Sequence, residues 1–175
     1  MAYTTINKST DYFNTKLYSG NGSSQSITGV GFQPDWTWVK SRSGTYGAYN
    51  PQAYDAVRGA GTSKDLTPAT NAVEGVDNGI YGHISSFDTD GFTLGAGSSN
   101  STQNNGSSTE YVSWNWKANG AGSSNTDGYI NSTVSANTTA GFSIVTYTGN
   151  LSSSTTATVG HGLGVAPKMI ITKRL

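Results

Sequence analysis

The chain has no cysteine, which removes a disulfide framework and any thiolate metal site. Charge is also scarce: 10 basic residues balance 10 acidic ones. Nothing builds the positive field that a phosphate backbone or an anionic membrane attracts, so neither nucleic acid nor membrane insertion is expected. No apolar run is long enough to cross a bilayer as a helix. The opening MAYTTINKSTDYF lacks a basic segment followed by an apolar stretch, so it does not read as a secretory signal. A soluble protein made in a cytoplasm is expected. Apolar residues at helical spacing are nearly missing too, which argues against a helical bundle.

What fills the chain is Gly, Ser, Thr and Asn, together with 11% aromatic residues, enough to argue against disorder and to supply a core. Apolar and polar residues alternate over short runs separated by turn-forming clusters. Phe13–Tyr18 reads as a strand, Asn21-Gly22 as a hairpin turn, and Ser26–Val30 as the returning partner. Pro34 marks the entry to a central strand over Trp36–Arg42. Tyr54–Arg58 is a shorter strand, and Ile84–Phe87 and Phe92–Leu94 flank a turn at Asp90-Gly91. Gly95–Ser108 reads as a mobile Ser/Asn/Gly loop. In Tyr111–Lys117, the residues Val112, Trp114 and Trp116 share one face, assigned with Trp36 and Trp38 to the core or to a subunit contact. On that assignment Trp114→Ala would cost roughly 3–5 kcal/mol. The fold class expected is all-β, an antiparallel β-sandwich of the jelly-roll or concanavalin-like kind.

One stretch occurs twice. Phe13, Tyr18, Gly20 and Asn21 return at a constant spacing as Phe142, Tyr147, Gly149 and Asn150. Pro34, Trp36, Trp38 and Lys40 return at a slightly larger spacing as Pro167, Met169, Ile171 and Lys173. One loop has grown between two fixed elements, as in tandem units of roughly 130 residues. The division expected is a lead-in over 1–11, a first β-sandwich domain over 12–120, a linker over 121–140, and the opening strands of a second, incomplete repeat over 141–175.

Three segments carry a family likeness: YSGNGSSQSITGVGFQPDWTWVKSRSG; DAVRGAG with SSFDTDGFTLG and EYVSWNWKANG; and TDGYINSTVSANTTAGFSIVTYTGN with VGHGLGVAPKMIITKR. Together they resemble the repeated lectin-like β-sandwich domain of virion and tail-fibre proteins of tailed phages, many from marine and cyanobacterial hosts. The resemblance implies a non-enzymatic virion structural protein, a fibre or tail appendage made in the host cytoplasm. It also implies a homo-oligomer, with a trimer preferred, and contacts to other virion proteins and to host surface polysaccharide. A capsid decoration protein and a surface-polysaccharide depolymerase are the alternatives.

Candidate chemistry is sparse. Asp88-Thr89-Asp90-Gly91 resembles the opening of a calcium loop but lacks a closing glutamate, so a hairpin turn is the better reading. His83 and His161 are the only histidines, a poor set for zinc. No G-x-S-x-G elbow occurs. Glu74, Asp77, Asp88, Asp90 and Glu110 form no pattern that singles out a glycosidase pair. No catalytic residue, metal or cofactor is therefore assigned. Sugars bind through aromatic faces and planar polar groups. The candidate glycan or partner contacts are therefore Tyr46, Tyr49, Asn50 and Tyr54 in one loop and Asn100 and Asn104 in the polar tract.

Overall fold

The computed structural model describes residues 6–44, 49–150 and 156–175. After a 3-10 turn at Ser9–Asp11 come the strands β1 Phe13–Ser19, β2 Gln25–Thr28, β3 Trp36–Gly44, β4 Gln52–Asp55 and β5 His83–Asp88. They are followed by β6 Gly91–Gly95, β7 Thr109–Trp116, β8 Ser123–Asn125, β9 Ser132–Asn137 and β10 Phe142–Tyr147. Three antiparallel sheets result, with strand orders β1-β7-β3-β4, β2-β6-β5 and β10-β9-β8. The fold is an all-β sandwich in which the first two sheets pack face to face.

The strand β7 holds the larger sheet together. One edge pairs with β1, from Phe13↔Trp116 to Ser19↔Glu110. The other pairs with β3, from Trp36↔Trp116 to Gly44↔Thr109, with a register shift between Ser41 and Ser43. Residues directly opposite one another share a face, so Tyr18, Tyr111 and Ser41 point one way, with Thr37, Asn115 and Tyr54. That face is the interior. It meets Ile27 of β2, Ile84 of β5, and Phe92 and Leu94 of β6. Tyr18 stacks on Tyr111 at 5.3 Å and meets Phe92 edge-on at 6.3 Å.

The tryptophans therefore lie on the opposite, outer face, each half-buried. Alternation identified which residues of β7 travel together, and of the two places left open for the tryptophans, core or subunit contact, the interior is not where they lie. Hydrogen-bond satisfaction decides the matter. Thr37, Ser113 and Asn115 are fully buried, and they satisfy one another. Thr37 Oγ1 donates to Asn115 Oδ1 at 3.1 Å, and Asn115 Nδ2 donates to Ser113 Oγ at 3.0 Å and to the Asn14 carbonyl at 3.2 Å. Paired in this way, short polar side chains cost little to bury. A half-exposed Trp114 loses less packing on truncation than a buried aromatic does, which lowers the cost expected for Trp114→Ala.

The expected β1–β2 hairpin is also corrected, because the two strands lie in different sheets. Gly20 N–H donates to the Thr109 carbonyl at 2.9 Å and Gly22 N–H to the Asn105 carbonyl at 2.8 Å. These bonds draw the connection toward the approach to β7 instead of folding β2 back on β1. The β5–β6 hairpin forms as expected. Its turn carboxylate, Asp90, accepts the amides of Gly29 at 2.9 Å and Gly31 at 2.6 Å, and these bonds hold its pKa below the usual value.

Beyond the first sandwich, residues 121–140 are more than a connection, since they carry β8 and β9. Strand β9 pairs with β10 from Asn137↔Phe142 to Ser132↔Tyr147. Phe142 stacks on Trp116 at 6.2 Å, and the Asn119 amide donates to Ser135 Oγ at 2.8 Å. The duplicated sequence repeats the backbone angles at one pair of glycines, but residues 166–175 form no strand where the first copy has β3, so of the opening strands expected over 141–175 only β10 forms among the described residues. Gly29 and Gly31 have φ of 80° and 91°, and their counterparts Gly162 and Gly164 have 70° and 71°. Those angles favour glycine.

The interior's dependence on satisfied polar groups is testable at Tyr111. Its hydroxyl donates to the Thr102 carbonyl at 2.7 Å and accepts from the Gly106 amide at 2.8 Å, both buried. Tyr111→Phe strands those two backbone groups, and denaturant unfolding is expected to show a loss of about 1–3 kcal/mol. A change near zero would mean that the loop finds other partners.

Candidate functional site

The Gly95–Ser108 tract is packed structure, not a mobile loop. Ser101, Thr102, Asn104 and Asn105 are buried, the two asparagines completely. Side-chain amides both donate and accept, so they can stand in for a backbone ladder. Asn105 Oδ1 accepts from Gln25 Nε2 at 2.8 Å and from the Asn21 amide at 3.1 Å. Its Nδ2 donates to Asn21 Oδ1 at 3.1 Å and to the Ser23 carbonyl. The Asn104 carbonyl accepts the Tyr18 hydroxyl at 2.7 Å.

A second amide network joins three loops at one end of the sandwich. Gln52 Oε1 accepts from Tyr54 Oη at 3.2 Å and from Asn104 Nδ2 at 3.2 Å. Gln52 Nε2 donates to Gln103 Oε1, and to Asp77 Oδ2 at 3.3 Å. Gln103 Nε2 donates to the same Asp77 oxygen at 2.6 Å. Sequence reasoning overlooked Gln52 and Gln103, and weighed Asp77 only as a candidate carboxylate. Only their distance in the chain hid them, because a buried glutamine at a strand start has no sequence signature.

The six expected contact residues divide accordingly. Tyr54 and Asn104 have no exposed surface, so they support the site from beneath and do not meet a ligand. Tyr49 is 40% exposed, and Asn50 and Asn100 are exposed. Asn100 Oδ1 accepts the Thr102 amide at 3.2 Å, which fixes its side chain. Tyr46 lies outside the described residues. The Gln52–Gln103 bond brings the loops carrying Asn50 and Asn100 together at their bases.

A larger feature is the outer face of the four-stranded sheet. Trp36 faces Trp116 and Trp38 faces Trp114 across the β3–β7 pair. Phe13, Thr15 and Leu17 of β1 extend the same face. Phe13 lies 4.8 Å from Trp116, and Leu17 is 56% exposed. Lys40 lies on this face opposite Val112, and burial lowers its pKa from the usual value. An aromatic face of this kind, rimmed by polar residues, is the surface type that proteins use against other proteins.

The acids weighed for glycan cleavage are each tied to local structure. Glu74 pairs with Arg58 at 3.0 Å and with Lys64 at 3.3 Å. Asp88 accepts from Ser86 at 2.8 Å and from Thr93 at 2.7 Å, and Glu110 accepts from Ser19 at 2.8 Å. Arg58 also binds Asp55 at 2.6 Å in an almost fully buried pair. These bonds hold the irregular stretch after β4. His83 is partly buried, and burial holds its pKa below the usual value. His161 Nδ1 accepts the Leu163 amide at 3.2 Å. Among the described residues no group of three His, Cys, Asp or Glu side chains could hold a metal ion. Asp65 differs from the other acids. It is 1% exposed, and neither carboxylate oxygen has a hydrogen-bond partner of good geometry.

Residues 8–175 match the family described as "Domain of unknown function (DUF7483)", and the chain belongs to that family. No curated protein and no solved structure matches the chain.

Asp65 supplies a pH test. Burial raises its carboxyl pKa above the usual value, and the charge of Asp77 adds to the effect. The unfolded chain then ionises at a lower pH than the native one. Stability attributable to this group falls as pH rises from the unfolded pKa through the higher native pKa. Asp65→Asn is therefore expected to stabilise the protein near neutral pH and to lose that advantage in acid, as read by urea unfolding across pH. A variant that is less stable at neutral pH would show that the carboxylate is stabilising.

Proposed function

We propose that this DUF7483 member is a non-enzymatic structural module of a tailed-phage particle, a fibre or tail appendage built from β-sandwich units. It assembles as a homo-oligomer, preferably a trimer, alongside other virion proteins. The observation that carries the reading is the aromatic face formed by Trp36, Trp38, Trp114 and Trp116 on the outside of a folded sandwich. The interior is filled without these side chains; Phe142 of β10 stacks on Trp116, and in this reading the part of the face around Trp38, Trp114 and Leu17 is left for a partner. Aromatic groups are enriched where proteins meet. The place in a virion comes from the resemblance of the quoted segments to phage fibre domains.

In this reading Tyr49, Asn50 and Asn100 point away from the particle and touch host surface glycan. The buried Gln52, Asp77, Gln103 and Asn104 hold their loops in position. Preorganised loops lose less entropy on binding.

The oligomer is tested by light scattering on the purified chain. A trimer is expected, and Leu17→Lys, an exposed change on the aromatic face, should give a monomer with a near-native melting temperature. A wild-type monomer would contradict the fibre reading, and co-sedimentation of that monomer with assembled capsids would favour decoration instead. Release of new reducing ends from host polysaccharide would overturn the non-enzymatic assignment.

A further inference from the structure

Asp65 carries a buried carboxylate that the fold leaves without a partner. It is 1% exposed, and neither of its oxygens has a hydrogen bond of good geometry. An ionised group in that state is costly. A short ladder fixes its position. The Ala53 amide donates to the Leu66 carbonyl at 2.8 Å and the Leu66 amide to the Ala53 carbonyl at 3.0 Å, an antiparallel bridge. That register sets Asp65 opposite Tyr54 and Thr67 opposite Gln52, so the four side chains share the inward face.

Asp77 reaches the same place from the following stretch of chain. The Gly75 amide donates to the Asp65 carbonyl at 2.9 Å, and two residues later Asp77 Oδ2 accepts the side-chain amides of Gln52 and Gln103. Among the described residues only Oδ2 of Asp77 accepts a hydrogen bond, which leaves Oδ1 open. The titration of their neighbours agrees with this placement. Burial raises the Tyr54 hydroxyl pKa, and the charges of Asp65 and then Asp77 add to the effect. Neither carboxylate has a basic partner. Arg58 is bound to Asp55 and Glu74, and Lys64 to Glu74, and among the described residues no ion pair includes Asp65 or Asp77. In this part of the fold Asp55, Asp65, Glu74 and Asp77 set four carboxylates against two cations.

We propose that Asp65 and Asp77 bind a calcium ion beneath the loops that carry Asn50 and Asn100. Calcium takes about six to eight oxygens in flexible geometry, from carboxylates, amides, backbone carbonyls and water. Two carboxylates therefore suffice where neutral oxygens complete the shell. Asn104 Oδ1 is such an oxygen, buried and without a partner, on the amide whose nitrogen donates to Gln52. None of these residues offers a thiolate or an imidazole, which disfavours zinc. Asp77 is partly exposed, which gives the ion access from solvent. The bound ion neutralises the two unpaired carboxylates and ties the stretch from Asp65 to Asp77 to the amides of Gln52 and Gln103.

The probe is calcium chloride, titrated by isothermal calorimetry into the full chain after treatment with a chelator, with the melting temperature read in parallel. One saturable site is expected, with a Kd of about 0.1–1 mM or tighter, and saturating calcium should raise the melting temperature by several degrees. Asp65→Asn removes the unpaired charge, so in chelator it is expected to fold and to be at least as stable as the wild type. It should nevertheless lose the calcium-induced rise and bind calcium about tenfold more weakly or worse. Asp77→Asn, which keeps an acceptor oxygen for Gln52 and Gln103, should weaken binding as well. Asp88→Asn, in the turn whose sequence resembles a calcium loop, should bind like the wild type. The proposal is overturned if no saturable binding occurs up to about 10 mM calcium, or if Asp65→Asn and Asp77→Asn both respond like the wild type. Loss of the response in Asp88→Asn alone would also overturn it, because the ion would then sit in that turn. The oligomer measurement reads the outer aromatic face and this one reads the interior, so either result can fail without the other.

Discussion

The structure depends on one strand being paired along both edges. Strand β7 supplies the middle of the four-stranded sheet, and its register with β1 and β3 fixes which side chains of three strands point inward. Because the side-chain period of a strand is two, a slip of one residue would turn Tyr111, Ser113 and Asn115 outward and drive Trp114 and Trp116 into the interior. The inward set is held in place by contacts that only one register allows. Examples are the stack of Tyr18 on Tyr111 and the bond between Thr37 and Asn115.

Loops with few apolar residues stay ordered here because amide side chains replace missing secondary structure. Asn105 alone bonds to Gln25, Asn21 and Ser23, which joins the approach to β7 with the turn after β1. Gln52 and Gln103 do the same between the loops at the sandwich end. Arg58, Asp55 and Glu74 perform that task with charge for the stretch after β4. Each network is buried or partly buried, and its strength lies in being nearly complete. An unpaired polar group in such a place costs more than a paired one gains.

Much of this was legible in the sequence. The turn at Asp90-Gly91, the central place of the strand beginning at Trp36 and the all-β class followed from alternation and turn chemistry. The inside of the sheet did not, because Ser113 and Asn115 look like surface residues until Thr37 is seen beside them. The partner of β1 was misread for a related reason. Asn21-Gly22 is a strong hairpin signal, but the bonds from Gly20 and Gly22 to residues near the start of β7 override it. Of the candidate contacts, Tyr49, Asn50 and Asn100 lie on the surface, while Tyr54 and Asn104 were hidden by long-range amide bonds that composition cannot reveal.

The duplicated segment shows the same dependence from the other side. Tyr18 and Thr37 are covered beside β7, and among the described residues their counterparts Tyr147 and Ile170 are exposed. Native-state amide hydrogen exchange tests this most directly. The account predicts that the β7 amides exchange only through global unfolding, with those of β9 and β10 opening at lower free energy. If β7 exchanged through local opening while β10 was the slowest segment, the central place given to β7 would be wrong.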